Sequence, residues 1–374
     1  MKKILIVYGT AGIGHKKAAL AVKAAFDEMK PADAQVAIID SLDYTNPFFK
    51  KAYLDTYLFM VNKLPTFWGL SYYLTDNFFV NLVVSKMRRI NNWLNSGPFR
   101  KYLIETKPDV IVSTHFFASE IIAVMKKKGE LDSRLITVLT DYRIHSWWVS
   151  EPTDIYVVGG EGAREDLIGT WKVDPSGIKV FGIPVEPVFS KPLDRRGILA
   201  KAGLQDGVFT VLVIGGGFGV GPIENIIKII SSIPQTVQII AICGHNETLV
   251  KELEALKPTL KDRLSVLGFV NNVYEYMASA DVLISKSGGI TSTESMARDL
   301  PLIVIAPIIG QETRNSDYLT SEGAAVKIDK PYELKAVLED LVSHPEKLGR
   351  MRDAIARIKK PRACYDVAQL ALEI

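Results

Sequence analysis

Short runs of Val, Ile and Leu recur along the chain at 4–8, 36–39, 110–113, 135–139 and 155–158, and again at 209–214, 237–242, 264–267, 282–285 and 302–305. Each is apolar at consecutive positions rather than at alternate ones. Alternation marks a strand with one wet face, whereas a continuous apolar run marks a strand buried on both faces, as in a parallel sheet covered by helices. Helical patterns fill the intervals, so the chain is expected to be an α/β protein with doubly wound sheets. The pattern occurs twice, because ILIVYGTAGIGHKKAALAV near the start and TVLVIGGGFGVGPIENII in the middle both read strand, glycine loop, helix. Between the two series, Pro184, Pro187 and Pro192 interrupt any regular element. The expected organisation is two Rossmann-like domains, 1–186 and 198–358, joined by a linker at 187–197 and facing each other across a cleft. Residues 359–374 are expected to form a helix that packs back on the first domain. Ligands of such sheets bind at the carboxyl ends of the strands, so both glycine loops should line that cleft.

Residues 44–102 break the alternation. They hold 15 of the 34 aromatic residues, and eight Lys or Arg against Asp55 and Asp76. Aromatic and apolar side chains interleaved with cations suit a surface that dips into anionic lipid. Lys86, Arg88 and Arg89 form the densest basic group. An ordinary helical insertion with its aromatics in the core would leave the same trace.

Composition narrows the partners. The formal net charge of the 374 residues is +3, too small to argue for nucleic acid. The two cysteines, Cys243 and Cys364, form no CxxC, which speaks against structural zinc and a disulfide framework and fits a reducing, cytoplasmic compartment. No apolar run reaches the length of a membrane span. The opening MKKILIVYG reads as the first core strand rather than as a signal peptide, because Lys16 and Lys17 follow so soon.

The candidate chemistry sits after the strands. SKSGGITSTE, 285–294, turns through paired glycines into a helix whose first amides can hold phosphate. Glu294, one and a half turns on, can accept bonds from two ribose hydroxyls. A structural glycine turn would look the same. Neither Gly9, Gly12, Gly14 nor the 215–221 loop fits the dinucleotide fingerprint. Asp40, at the end of the second strand, imitates a ribose-binding acid and keeps a nicotinamide enzyme open. His15 stands where the first loop becomes a helix and can take a proton from an alcohol. It can equally be a helix-start histidine with no chemistry. Asp141 is placed to orient His15 or a substrate hydroxyl, and His115 is a rival base. His145 belongs either to an acceptor site or to packing near Trp147 and Trp148. The polar stretch 310–315 reads as a loop suited to sugar hydroxyls. There is no DxD triplet, so a nucleotide diphosphate would be neutralised by helix N-termini and amides rather than by a held metal.

Taken together, AGIGHKKAA, TDYRIHSWWV, GIPVEPVF, LGFVNNVYEYMASADVLISKSGGITSTESMA and PIIGQETRN resemble, in order, the motifs of the monogalactosyldiacylglycerol synthases and processive diacylglycerol glucosyltransferases. The resemblance implies an inverting, metal-independent glycosyltransferase of the two-Rossmann GT-B fold. It implies that His15 is the catalytic base; Asp141, from its place after a strand, is the second catalytic candidate. Gly215, Gly216, Gly217 and Gly219, with Ser287, Gly288, Gly289, Ile290 and Thr291, would bind the diphosphate of UDP-glucose or UDP-galactose. Glu294 would hold the ribose, Phe269 and Val270 would flank the uracil, and Gln311, Glu312 and Asn315 would contact the sugar. Gly12, Gly14, His145, Trp147 and the basic residues Lys86, Arg88 and Arg89 would serve the diacylglycerol acceptor and an anionic membrane surface. The protein is then expected on the inner face of the cell membrane, with no cofactor. A lipid-linked peptidoglycan-precursor N-acetylglucosaminyltransferase, a UDP-sugar epimerase and a non-catalytic nucleotide sensor remain rival readings.

Overall fold

The computed structural model describes residues 1–10, 12–215, 222–260 and 263–374, without the side chains of 57, 62, 78, 79 and 82. It divides into two compact units. Unit 1 is Met1–Pro187 with Ile308–Asn315 and Lys360–Ile374, and unit 2 is Val188–Pro307 with Ser316–Lys359.

Unit 1 is built on six parallel strands: β1 (Lys2–Tyr8), β2 (Ala34–Asp40), β3 (Val110–Ser113), β4 (Arg134–Val138), β5 (Ile155–Val157) and β6 (Ile178–Lys179), in the order β2-β1-β3-β4-β5-β6. Its helices are α1 (Ile13–Met29), α2 (Pro47–Lys63), α3 (Pro65–Asp76), α4 (Phe78–Asn95), α5 (Gly97–Thr106), α6 (Phe116–Lys127) and α7 (Glu161–Gly169). The consecutive apolar runs are explained by what each face meets. Ile4, Ile6, Val110 and Val112 share a core with the alanine-rich side of α1, while Leu5, Val7 and Ile111 point the other way into a core with Phe99, Phe117 and Ile121. Successive side chains of a strand alternate faces, so burial on both demands an unbroken apolar run. The last helix of the chain, numbered α17 (Ala363–Glu373), joins the first of these cores through Cys364, Val367, Ala368 and Ala371.

Unit 2 repeats the plan with β7 (Phe209–Ile214), β8 (Val237–Ile242), β9 (Leu264–Leu267), β10 (Val282–Ser285), β11 (Leu302–Ile305) and β12 (Ala325–Ile328), in the order β12-β11-β10-β7-β8-β9. Its helices are α8 (Arg195–Lys201), α9 (Ile223–Ser231), α10 (Glu247–Glu254), α11 (Lys257–Leu260), α12 (Val273–Ser279), α13 (Gly289–Ala297), α15 (Glu333–Ser343) and α16 (Pro345–Ile358). Between β11 and β12 runs α14 (Gln311–Ser321), whose first five residues belong to unit 1. On α9 the buried residues are Ile223, Ile226, Ile227 and Ile230, the spacing of one helix face laid on the sheet.

Both sheets are doubly wound, as the hydrophobic pattern predicts. The two strands that pattern misses, β6 and β12, lie at sheet edges and carry Lys179 and Lys327, so neither presents a continuous apolar run. A second difference concerns 311–315, expected as a loop. These residues are the first turns of α14, in which Glu312 Oε2 accepts from the Ile308 amide at 2.7 Å and closes the turn before the helix.

The 44–102 segment folds into α2 to α5 and divides its apolar residues. Phe49, Tyr53, Phe99 and Tyr102 pack on the unit 1 core. Phe48, Phe59, Phe67 and Leu70 are exposed, and α4 bares Val80, Val83, Met87, Ile90 and Leu94 at intervals of three and four residues, Met87 at 69% exposure. That spacing is a single helical stripe. No helix among the described residues is long and apolar enough to cross a membrane.

Arg88 does not join this outer face. It reaches the Glu120 carboxylate on α6 through Nε at 2.9 Å and Nη2 at 2.6 Å, and Asn92 Nδ2 donates to the other oxygen at 3.1 Å. Glu120 is only 2% exposed, so the pair ties α4 to α6 in the interior. Arg88→Met would leave a buried carboxylate with one amide for company, at a cost of ~3–5 kcal/mol. We expect a clear drop in the urea midpoint of unfolding, and Arg88→Met with Glu120→Leu should restore most of it.

Candidate active site

In an open parallel sheet a crevice forms where strand order reverses, outside the carboxyl ends of the strands. In unit 1 that point lies between β1 and β3, which pair in parallel from Ile4 opposite Val110 to Val7 opposite Ser113. The loop after β1 therefore meets the residues after β3. Gly12 precedes the first turn of α1, Gly14 lies in that turn, and His15 follows it. His15 Nδ1 lies 2.8 Å from the Thr114 carbonyl and 3.1 Å from Thr140 Oγ1, and Thr114 Oγ1 donates back to the His15 carbonyl at 2.8 Å. A carbonyl only accepts, so the proton sits on Nδ1 and the lone pair is on Nε2.

Burial lowers the His15 pKa from 6.5 to about 4, against a smaller upward pull from the Thr114 carbonyl. The imidazole is neutral at physiological pH. The His115 ring stands edge-on to it at 4.5 Å and is fully buried. His115 Nδ1 accepts from the Phe117 amide at 3.2 Å, which caps α6 and uses the lone pair a base would need. Its Nε2 has no hydrogen-bond partner among the described residues. Gly9 is required here, because a Cβ would sit 2.9 Å from the His115 ring.

Asp141 follows β4 but takes its bond elsewhere. Asn315 Nδ2 donates to Asp141 Oδ1 at 2.9 Å, and Asn315 Oδ1 accepts from the Tyr142 amide at 2.8 Å. Burial raises the Asp141 pKa, partly offset by the Asn315 bond. The groups that hold His15 are thus Thr114 and Thr140, two residues that sequence reasoning passed over although both follow strands. Next to Asn315, Arg314 donates to Asp76 at 2.6 Å and to the Ile144 carbonyl at 2.8 Å. His145 is held at both nitrogens, with Nε2 2.9 Å from the Tyr72 carbonyl and Nδ1 3.2 Å from the Trp147 amide, between the rings of Tyr72 and Trp147. Lys86 and Arg89 are exposed on α4, and Gln311 is half-buried at the start of α14.

Asp40 is not a free ribose-binding acid. Its oxygens take the Thr10 hydroxyl and the Leu42 amide, capping the turn after β2, which removes the feature that favoured a nicotinamide enzyme.

Unit 2 has its own reversal between β7 and β10, whose ends are joined by a bond from Ser285 Oγ to the Ile214 carbonyl at 3.0 Å. Gly215 follows β7. Gly216, Gly217 and Gly219 lie outside the described residues. Ser287, Gly288, Gly289, Ile290 and Thr291 follow β10, with Gly288, which has no side chain to cap with, at the N-cap of α13. Glu294 is buried on α13 at 3% exposure. Along the same edge, beyond β9, Phe269 and Val270 follow Gly268, and Phe269 stacks on His245 at 4.3 Å. The sequence reading did not single out His245. Its place one residue past a glycine at a strand end was the available signal.

Two doubly wound parallel sheets, each with a glycine turn at its reversal point, make this a two-unit α/β protein of Rossmann-like build. The profile of the monogalactosyldiacylglycerol (MGDG) synthase family matches residues 15–185, and that of the glycosyltransferase family 28 C-terminal domain matches residues 210–366. A processive diacylglycerol beta-glucosyltransferase of Staphylococcus aureus (strain MRSA252) is 29% identical over 378 residues, covering 100% of this chain and 93% of that protein. One from Staphylococcus epidermidis is 30% identical over 380 residues, covering 99% and 93%. The crystal structure of Acinetobacter baumannii MurG shares the fold, with a TM-score of 0.64, 14% identity and both chains covered in full. The chain belongs to the family of monogalactosyldiacylglycerol synthases and processive diacylglycerol glucosyltransferases, and it is a glycosyltransferase.

The depressed histidines set the acid response. A group whose folded pKa lies below its unfolded value binds protons more readily in the unfolded chain. The contribution of His15 is therefore full above about pH 6.5 and is lost as pH falls toward 4; buried His115 and His145 act in the same direction, and Asp141 opposes them. His15→Gln should flatten the decline of the unfolding midpoint between about pH 7 and pH 4.5, by at most ~1.4 kcal/mol per pH unit for one proton.

Proposed function

We propose that the enzyme transfers glucose or galactose from a UDP-sugar to diacylglycerol by a single inverting displacement, giving a β-glycolipid. The observation that carries this reading is the His15 tautomer. Its Nδ1–H is fixed on the Thr114 carbonyl, which leaves Nε2 as the proton acceptor. His15 Nε2 removes the hydroxyl proton as the acceptor oxygen bonds to the anomeric carbon, and the bond to UDP breaks on the opposite face. An imidazole of low pKa is a weak base, but the alcohol becomes strongly acidic as its new C–O bond forms, so proton transfer accompanies attack. His115, with its lone pair on the Phe117 amide, is poorly suited to that role.

The nucleotide belongs to the carboxyl edge of the second sheet. The first amides of α13 meet the diphosphate, Glu294 meets the ribose, and Phe269 with Val270 flanks the uracil. Gly215, just past the end of β7, belongs to the phosphate site, and Gln311 and Glu312 contact the sugar. Asn315 enters as the residue that holds Asp141. No divalent cation is required in this reading, so a chelator should leave the rate unchanged.

Purified enzyme with labelled UDP-glucose or UDP-galactose and diacylglycerol vesicles tests the proposal, with UDP-N-acetylglucosamine in the donor panel. His15→Ala is expected to lower glycolipid formation by ~10²- to 10⁴-fold while UDP still binds. A near-normal rate would remove His15 from the mechanism, and no glycolipid from any donor would remove the reaction.

The acceptor reaches the enzyme from a membrane. The bare stripe of Val83, Met87 and Ile90 on α4, flanked by Lys86 and Arg89, suits a peripheral contact with an anionic inner leaflet. In vesicle flotation, Lys86→Glu with Arg89→Glu should weaken binding to anionic lipid by on the order of 1 kcal/mol per charge removed. Val83→Asp with Ile90→Asp should weaken binding to neutral and anionic vesicles alike.

A further inference from the structure

Among the described residues, unit 2 exposes few large apolar side chains, and Phe269 is one of them, at 53%. It stands two residues past β9, beside the end of β8. Parallel pairing of Ile242 with Leu267, continued by the Cys243 amide to the Leu267 carbonyl at 2.8 Å, brings the two chain ends out side by side. Gly244 then turns through φ +57°, a conformation glycine adopts without strain. The next residue, His245, lies flat on the Phe269 ring, with centroids 4.3 Å apart and planes 12° from parallel. The chain beyond is pinned, since Asn246 Oδ1 caps α10 through the Leu249 amide at 3.0 Å.

An exposed phenylalanine with one face already covered by a flat ring, on the ligand-binding edge of a doubly wound sheet, calls for a second flat group. We propose that His245 is a positioning residue for the nucleotide base: it backs the Phe269 ring and fixes its orientation, so that the open face stacks on the pyrimidine of the donor. The inference rests on the proposed use of a UDP-sugar and adds the residue that sets affinity for the base. His245 touches neither the diphosphate nor the reacting carbon, so its loss should act on binding and leave the chemical step alone.

The test is titration calorimetry of the full chain with UDP, uridine and inorganic pyrophosphate, together with steady-state kinetics. His245→Ala should weaken UDP and uridine by roughly 3- to 10-fold, the range of one aromatic pair. Pyrophosphate affinity should not change, the KM for the sugar nucleotide should rise, and kcat should hold. His245→Phe should restore UDP binding. If the wild-type protein binds UDP and His245→Ala binds it equally well, the inference falls while the proposed donor stands. If pyrophosphate binding weakens as much as UDP, His245 acts through the phosphates or the fold, and the inference falls as well. A wild-type protein that binds no UDP overturns both readings.

Discussion

The parallel pairing of β1 with β3 is the constraint on which the first unit's site depends. It sets the end of one strand beside the end of the other. His15, at the head of α1, therefore meets Thr114, and the carbonyl of Thr114 decides which imidazole nitrogen carries the proton. A register shift of one residue would turn every core side chain of β1 to the opposite face and move this contact with it. The same pairing seats His115 against Gly9, where a side chain on residue 9 would collide with the ring. Fold and chemistry are thus specified by one ladder of hydrogen bonds.

The second unit solves a different problem with the same geometry. Its reversal between β7 and β10 gathers a glycine turn and helix amides, groups that favour anions without carrying a charge. Farther along that edge the chemistry becomes aromatic, with His245 and Phe269 stacked. One sheet edge thus offers an anion end and a flat apolar end, in the order that a nucleoside diphosphate presents them. The first unit's edge carries instead a neutral imidazole and two threonines. Family membership accords with this division, since one family profile covers most of each half of the chain.

The helical segment 44–102 shows why composition alone was ambiguous. Its aromatic and apolar residues are neither all core nor all surface. Phe49, Tyr53 and Phe99 pack inside while Phe48, Phe59 and the α4 stripe face out. Its cations divide too: Lys86 and Arg89 stay on the surface, whereas Arg88 turns inward to neutralise Glu120. A buried carboxylate needs a partner that donates in a fixed plane, and arginine supplies one. Solvent-facing and core-facing positions therefore alternate along one helix within a few residues.

The amino-acid sequence by itself determined the doubly wound α/β class, ten of the twelve strands among the described residues, the glycine turns after β1 and β10, and the family. All of these follow from local rules, because an unbroken apolar run and a glycine before a helix mean the same thing wherever they occur. Only the tertiary structure decided what each polar residue does once it is there. It gave Asp40 to Thr10 and Leu42, Asn315 to Asp141, Arg314 to Asp76, and the orientation of His15 to two threonines distant in the chain. It also made 311–315 a helix and placed β6 and β12, whose lysines hide the strand pattern at the sheet edges. Hydrophobic burial is legible from periodicity because it depends on the residue alone. The partner of a hydrogen bond depends on which strand ends are brought together, and strand order appears only in the folded chain.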